Sequence, residues 1–469
     1  MIVNPELRRN IWLDFTFHRV IITPVVISLI AYLFYLTGGL QSSGDITFNL
    51  ACIFIFLWGT KRASETVIDE VTNSTWDFQR QSAISPTQMT WGKLIGATLY
   101  SWYGAFICLL FYVCFHNSET RPLFSESLGI VSSSLSVPQE IILLLLGGLF
   151  SQGLALLFSL QILNQIRSDK INRSFRYFVF GATIGILITK FTFSALKLNT
   201  TLTWHGMTFA TGPFALYSLM IFLGWTIVGL QRSFCKELQY QNIPWIWALF
   251  NLFCVIYFSG LMPAEKLPFD SIGITELRDL QHQLLKAPLY VAFFVAQALT
   301  YFALFSDTLS VIRYKYFFTR IHEKNIIESL QQLPWWPISF CLTVILGLLV
   351  AFAQTSHSIF KDFSPSIFTL TTVLFLMRDI CLIHFFNFAK SPRSATGSAF
   401  LYIFILYILF PLLLKALGLG TLLPILLPSW GQNTLLAIVS CGAQIAFFFW
   451  LTLKRWHQNM DSNLRVEKT

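Results

Sequence analysis

Charge is what this chain has least of. Lys, Arg, Asp and Glu supply 12% of its 469 residues, against roughly a quarter in a soluble domain, so an ordinary solvated globule is excluded. Eight cysteines occur without a single C-x-x-C, which removes both a disulfide framework and a structural zinc site. Seven of them fall in apolar runs, Cys235 in a polar connection, and they serve as small hydrophobes. No D-x-D or H-E-x-x-H is present and the eight histidines are scattered. No catalytic residue and no metal ligand is therefore expected, which disfavours an integral membrane transferase. A nucleotide-binding loop of the form G-x-x-x-x-G-K-[ST] is also missing: at Gly92-Lys93, Thr87 stands at the first glycine and Leu94 follows the lysine. No cofactor is expected on the chain itself. Residues Met1 to His18 are too polar to read as a cleavable signal peptide.

What the chain has is apolar length. It is 55% hydrophobic and 16% aromatic, and runs of about 20 apolar residues recur, each able to cross a ~30 Å hydrocarbon core as a helix. The runs do not alternate, which excludes a β-barrel. The expected fold is an all-α polytopic membrane protein of about 12 transmembrane helices, at 19–40, 46–60, 93–115, 139–162, 174–196, 209–230, 243–262, 288–312, 335–353, 365–384, 399–418 and 435–453. Twelve spans put both termini on one side. That side carries 23 Lys and Arg and the other 8, with Arg378 inside a span. The positive-inside bias places both termini in the cytoplasm. The net charge of +9 then reads as topology and contact with anionic membrane lipids, not as affinity for nucleic acid.

Residues 1–18 form an expected amphipathic interfacial helix. Asn4 caps it with Pro5 in its first turn, and Leu7, Ile11 and Phe15 recur at a spacing of four. The remainder divides into two diverged six-span halves, 19–232 and 233–469. Each has one long cytoplasmic connection, 61–92 and 313–334, ending in a proline step beside tryptophan, "SPTQMTW" and "LPWWP". Within the first lies "STWDFQRQSAISPTQMTWGK". Ser85-Pro86-Thr87-Gln88 has the form of a capping box with proline at the first helical position, so a helix starts there and enters the third span. Upstream, Ser74 or Thr75 caps a short helix over Trp76 to Gln81. One or two turns do not persist alone, so something must dock against it.

These residues resemble the segment between the second and third spans of ABC-2 type transporter permeases, the membrane subunits of type V ABC exporters. Glu70 matches the acidic start of the family pattern and Thr75-Trp76-Asp77-Phe78 its Thr-apolar-acidic-apolar core. Ile84-Ser85 matches the apolar-Ser pair, and Gly92-Lys93 the close. Ser74 stands where the family favours Gly, and Ala83 where it often has Pro. The N-terminal helix looks like the family's connecting helix, while Glu323 to Phe340 occupies the corresponding place in the second half with little residue identity.

The resemblance implies coupling helices that dock on a dimer of ABC ATPase subunits, with ATP and Mg bound by those partner chains. The implied contacts are Thr75, Trp76, Asp77, Phe78, Arg80, Ser85 and Pro86, then Glu323, Ile327, Glu328 and Gln331 in the second segment. It also implies a bacterial inner-membrane exporter of a lipid-like or amphipathic substrate. An ion-coupled secondary transporter is the alternative. Charges inside spans are few, and Asp307, Arg378 and Asp379 are candidates for an intramembrane polar path. Against that stands structural pairing: Asp307 with Arg313, and Arg378 and Asp379, about 100° apart on a helix, each with a neighbouring helix.

Overall fold

The computed structural model describes residues 4–82, 84–115, 137–161, 173–197, 201–240, 244–261, 287–307, 311–352, 365–388, 395–429 and 433–466. The expected connections 116–138 and 263–287 fall almost wholly outside that set, as does Ala83. Among the described residues eight helices are long and apolar enough to cross a membrane, or nine if one pair bent by 44° is a single span. The chain is an all-α polytopic membrane protein, and it falls into two compact units.

The first unit holds residues 1–202 and 209–242. Its helices are α1 (Pro5–Asp14), α2 (Phe17–Cys52), α3 (Thr60–Thr72), α4 (Trp76–Gln81), α5 (Pro86–Leu94), α6 (Leu99–Phe115), α7 (Val137–Gln161), α8 (Arg173–Lys197) and α9 (Thr211–Glu237). Two expected spans, 19–40 and 46–60, are not separated by a loop. α2 runs through the link and leaves helical geometry only at Gly39, whose φ of 71° is open to glycine. A π-helical stretch, Ile53–Gly59, then joins α2 to α3. Gln152 bridges this stretch to α6, donating to the Ile55 carbonyl at 3.1 Å and accepting from Trp102 Nε1 at 3.0 Å. Polar groups within the membrane thus join helices. Gly181 and Gly185 let α8 cross α7 closely: a Cβ at Gly181 would lie 2.6 Å from that of Ala155. One apolar cluster packs Phe48, Cys52 and Ile55 against Cys108, Leu109 and Tyr112. Another gathers Ala63, Val67, Trp76, Met89, Leu156 and Phe234 beneath α4. α9 continues unbroken to Glu237, so Cys235 is helical and the unit ends beyond the expected boundary at 232.

The second unit holds residues 203–208 and 243–469. It contains α10 (Trp245–Gly260), α11 (Ala287–Ser306), α12 (Val311–His322), α13 (Ile326–Gln332), α14 (Trp336–Phe352), α15 (Pro365–Asn387), α16 (Ala395–Phe404), α17 (Phe410–Ala416) and α18 (Thr434–Val466). A π turn, Ile405–Leu409, joins α16 to α17. α10 and α14 are apolar but only 16 and 17 residues long, shorter than the spans expected there. An unexpected hairpin, β1 (Thr201–Trp204) and β2 (Met207–Ala210), turns through His205 and Gly206 at φ 48° and 79°, the signs a tight two-residue turn demands. Its tip caps α10: the His205 N–H donates to the Gly260 carbonyl at 3.1 Å and Trp204 Nε1 to that of Tyr257 at 3.1 Å. These are end-of-helix acceptors that would otherwise lack donors.

Candidate functional site

α1 is amphipathic, but it docks by its polar side. Asn4 caps it as expected, accepting from the N–H groups of Glu6 and Leu7 at 3.1 and 3.5 Å. Glu6, Asn10 and Asp14, four residues apart and hence on one face, are 2, 7 and 9% exposed. Ile11, Trp12 and Leu13 face outward instead. The apolar stripe expected through Leu7, Ile11 and Phe15 is therefore split. Leu7 and Phe15 are half-buried, Phe15 edge-on to Tyr100 and Tyr103, while Ile11 joins the outer edge. The inward residues have specific receivers. Asn10 Nδ2 donates to the Gly92 carbonyl at 3.2 Å, and Asn4 Nδ2 to that of Gln88 at 2.6 Å. Asp14 accepts from Arg62 at 3.3 Å. A Cβ at Gly92 would sit 2.5 Å from Glu6 Cβ, so only glycine allows α1 this near α5.

Beneath α1 lies a closed ionic cluster. Lys93, fully buried, donates to Glu6 Oε1 at 3.2 Å and to Glu70 Oε2 at 2.5 Å. Arg9 bridges the same two carboxylates, donating to Glu6 at 2.8 Å and also to Glu70. Two cations against two anions make the cluster neutral, the condition under which buried charge is tolerated. Glu70 has a further role. Its Oε1 accepts from Gln79 Nε2 of α4 at 2.7 Å, and its carbonyl accepts the Thr75 N–H at 2.9 Å and the Thr75 hydroxyl at 3.2 Å. One residue of α3 thus holds α1, α4 and α5 in register.

α4 itself is turned by Ser74, at φ 59°. Trp76 is buried with its ring 5.5 Å from Lys93 Nζ, so it steadies the tip from within and is not open to a partner chain. Thr75, Asp77 and Phe78 are exposed, Phe78 by 76%. Arg80 reaches back to the Glu237 carbonyl at 3.0 Å. Thr75 does not cap α4 with its side chain, in contrast to Ser85, whose reciprocal capping box with Gln88 is complete. Ser85 and Pro86 start α5, with Pro86 buried, and so shape the return of the chain more than its surface.

The second unit builds the same backbone reversal from different residues. α3 and α12 end at 72 and 322. Left-handed residues follow at 74 and 324, short helices begin at 76 and 326, and the next helices begin at 86 and 336. Three hydrogen bonds recur as well: 73 to 69, 74 to 71 and 75 to 70 in one, 323 to 319, 324 to 321 and 325 to 320 in the other. Every pair is 250 positions apart. Here Asn325 caps α13, accepting from the Glu328 N–H at 3.5 Å, and Ile326 is the exposed apolar residue, at 71%. Glu323 and Glu328 pair with Arg320 at 2.7 and 3.0 Å. Gln331 is half-buried, and the side chain of Ile327 lies outside the described set.

Asp307 belongs to this second tip. Arg313 donates to it at 2.6 Å and to the carbonyls of Gln332 and Leu333 at 3.0 and 2.9 Å, while the Trp335 N–H donates to its other oxygen at 3.1 Å. The pairing with Arg313 is the structural one, and the structure does not bring Asp307 to Arg378. Alongside runs a neutral relay. Trp336 Nε1 donates to the Tyr314 hydroxyl at 2.8 Å, which lies 2.7 Å from His384 Nε2, and His384 Nδ1 lies 2.7 Å from the Ile380 carbonyl. The Ile380 carbonyl can only accept, so Nδ1 carries the ring proton and Tyr314 donates to Nε2. Burial pushes the Tyr314 hydroxyl above its ordinary pKa, keeping that proton in place.

Arg378 and Asp379 are both fully buried; each reaches a neighbouring helix, as expected, and they also bend toward each other at 2.9 Å. Neighbouring elements complete the set. Asp379 Oδ2 accepts from Tyr301 at 2.6 Å and from Tyr407, in the π turn, at 2.8 Å. Arg378 donates to Gln444 Oε1 at 3.0 Å, and Gln444 Nε2 to the Ile425 carbonyl at 2.9 Å. The pair therefore ties α11, α15, α18 and the segment after α17 together.

Neither Glu6 nor Arg9, nor Lys93 as a buried cation, was legible as a site residue. The one available signal was Lys93, standing at the start of an expected span with no acidic residue close to it in the sequence. Among the described residues no group of three His, Cys, Asp or Glu is placed to hold a metal. Compared with protein-family models, curated proteins and solved structures, the chain matches none.

Proposed function

We propose that the chain is the membrane-spanning permease subunit of an ATP-driven ABC transporter. Separate ATPase subunits, as a dimer, dock on the α4 and α13 tips and bind the ATP and Mg. The paired tips carry this reading: two polar reversals of one backbone design, each exposing a large apolar residue on its short helix, Phe78 and Ile326, two positions apart in the 250-residue register. Such a knob on a hydrophilic tip suits an apolar socket on a soluble partner, where a few anchors dominate affinity. The positive φ of Ser74 gives a physical reason for the glycine that ABC-2 permeases favour at that place.

Twelve spans follow if the arms of α2 on either side of Gly39 count separately, α5 and α6 form one bent span, and the short α10 and α14 also cross. Both termini and both tips then face the cytoplasm of a bacterial inner membrane, as the Lys and Arg distribution favours. The apolar composition and the few charges inside the spans suit export of a lipid-like or amphipathic substrate.

The test is reconstitution in vesicles with the ATPase encoded beside it or co-purifying with it. Phe78→Ala with Asp77→Ala should abolish stimulated ATP hydrolysis while leaving the chain folded. Unchanged ATPase assembly, with transport running on a proton gradient alone, would instead establish the secondary-transporter alternative.

A further inference from the structure

The outer edge of α1 is made for one kind of surface. Ile11, Trp12 and Leu13, with Phe17 at the start of α2, are 38, 79, 53 and 76% exposed. The two acidic side chains of the helix, Glu6 and Asp14, are both turned inward into ion pairs. Cationic groups remain outside: Arg8 is exposed, and the side chains of Arg19 and Lys61, though each is paired loosely, with Asp14 at 3.5 Å and Glu65 at 3.8 Å, are still 54 and 60% exposed. A water-facing helix would not present four large apolar residues together, and a helix sunk in hydrocarbon would not keep Arg8. An apolar edge flanked by cations, with its carboxylates hidden, is complementary to an anionic lipid leaflet.

We propose that α1 is a receptor for anionic phospholipid headgroups and that its lipid-bound state is passed to α4 through Glu6, Lys93 and Glu70. The route is short and has no slack. Glu6 and Glu70 share Lys93 and Arg9, so a shift of α1 redistributes the donors that Glu70 holds, and Glu70 is the acceptor for Gln79 of α4. α4 is the member able to respond, because Trp76 Nε1 and Gln79 Oε1 are buried without hydrogen-bond partners, a state whose cost a small movement relieves. The meaning of that movement for a docked ATPase rests on the proposed function. The lipid response itself does not.

Hydrogen exchange of the full chain in nanodiscs, with no ATPase present, tests the two parts separately. Replacing part of the phosphatidylcholine by phosphatidylglycerol should slow exchange in both 5–14 and 70–82 by about fivefold, the effect of one basic side chain at an anionic surface. Inorganic phosphate added to phosphatidylcholine discs should do nothing. Arg8→Gln with Arg19→Gln should remove both responses, while Glu6→Gln should keep the response of 5–14 and lose that of 70–82. Equal exchange in the two lipids, or protection by free phosphate, overturns the receptor. A response of 70–82 that survives Glu6→Gln overturns the route. A chain that responds to lipid yet binds no ATPase refutes only the transporter reading.

Discussion

Replacing Lys93 by methionine keeps most of the side-chain volume and removes only the charge at the centre of the α1–α3–α5 cluster. Glu6, 2% exposed, and Glu70 would then face each other with Arg9 as their shared cation. Arg9 has 39% of its side chain exposed, so water screens its contribution. A buried carboxylate left without its partner costs about 3–5 kcal/mol. At ~2 °C per kcal/mol for a unit of this size, the apparent Tm of the purified chain should fall by roughly 6–10 °C. Adding Glu70→Gln restores neutrality, since Glu6 and Arg9 still pair, and the amide oxygen introduced there can still accept from Gln79. The double variant should therefore recover more than half of the loss. Thermal unfolding in detergent, followed by protease cutting between α3 and α5, reads both effects. A single variant within about 1 °C of wild type, or a double variant worse than the single, would refute the view that Lys93 is there to neutralise two carboxylates.

Gly92→Ala should loosen α1 without touching any charge, because the added methyl would meet Glu6 Cβ. A cost of about 1–3 kcal/mol and faster proteolysis of residues 4–14 are expected. Asp379→Asn leaves the Arg378 guanidinium buried without its counter-charge and should cost about 3–5 kcal/mol, seen as loss of monodisperse protein on size-exclusion chromatography. Phe78→Ala, at an exposed site, should stay within about 0.5 kcal/mol of wild type in the same assay.

Capping chemistry was legible in the sequence because it is local. Asn4 with Pro5, and Ser85 with Gln88, need only neighbouring residues to be read, and both caps are in place. Asp307 and Arg313 were likewise close enough in sequence to pair on paper. The direction in which α1 faces was not legible. A helical period shows that two faces exist, but when one of the surroundings is lipid the apolar face need not be the protein-facing one. The cluster around Lys93 draws on α1, α3 and α5, with up to 87 positions between partners, and no local pattern marks it. The repeat at an interval of 250 was faint for the opposite reason: the backbone course is kept while the residues differ, Glu70 standing opposite Arg320 and Trp76 opposite Ile326. Gly39 and the π-helical stretches were also invisible, since glycine in an apolar run predicts neither a break nor a wide turn.

The charge cluster also sets an order of assembly. Glu6 is made first and Glu70 next, and the lysine that neutralises both comes only after α4 has been completed. Until Lys93 emerges, bringing the two carboxylates together is opposed by their mutual repulsion, with Arg9 alone to offset it. α1, made before all three, is thus held off its own seat until α5 emerges, and its docking reports that α3, α4 and α5 have reached their places.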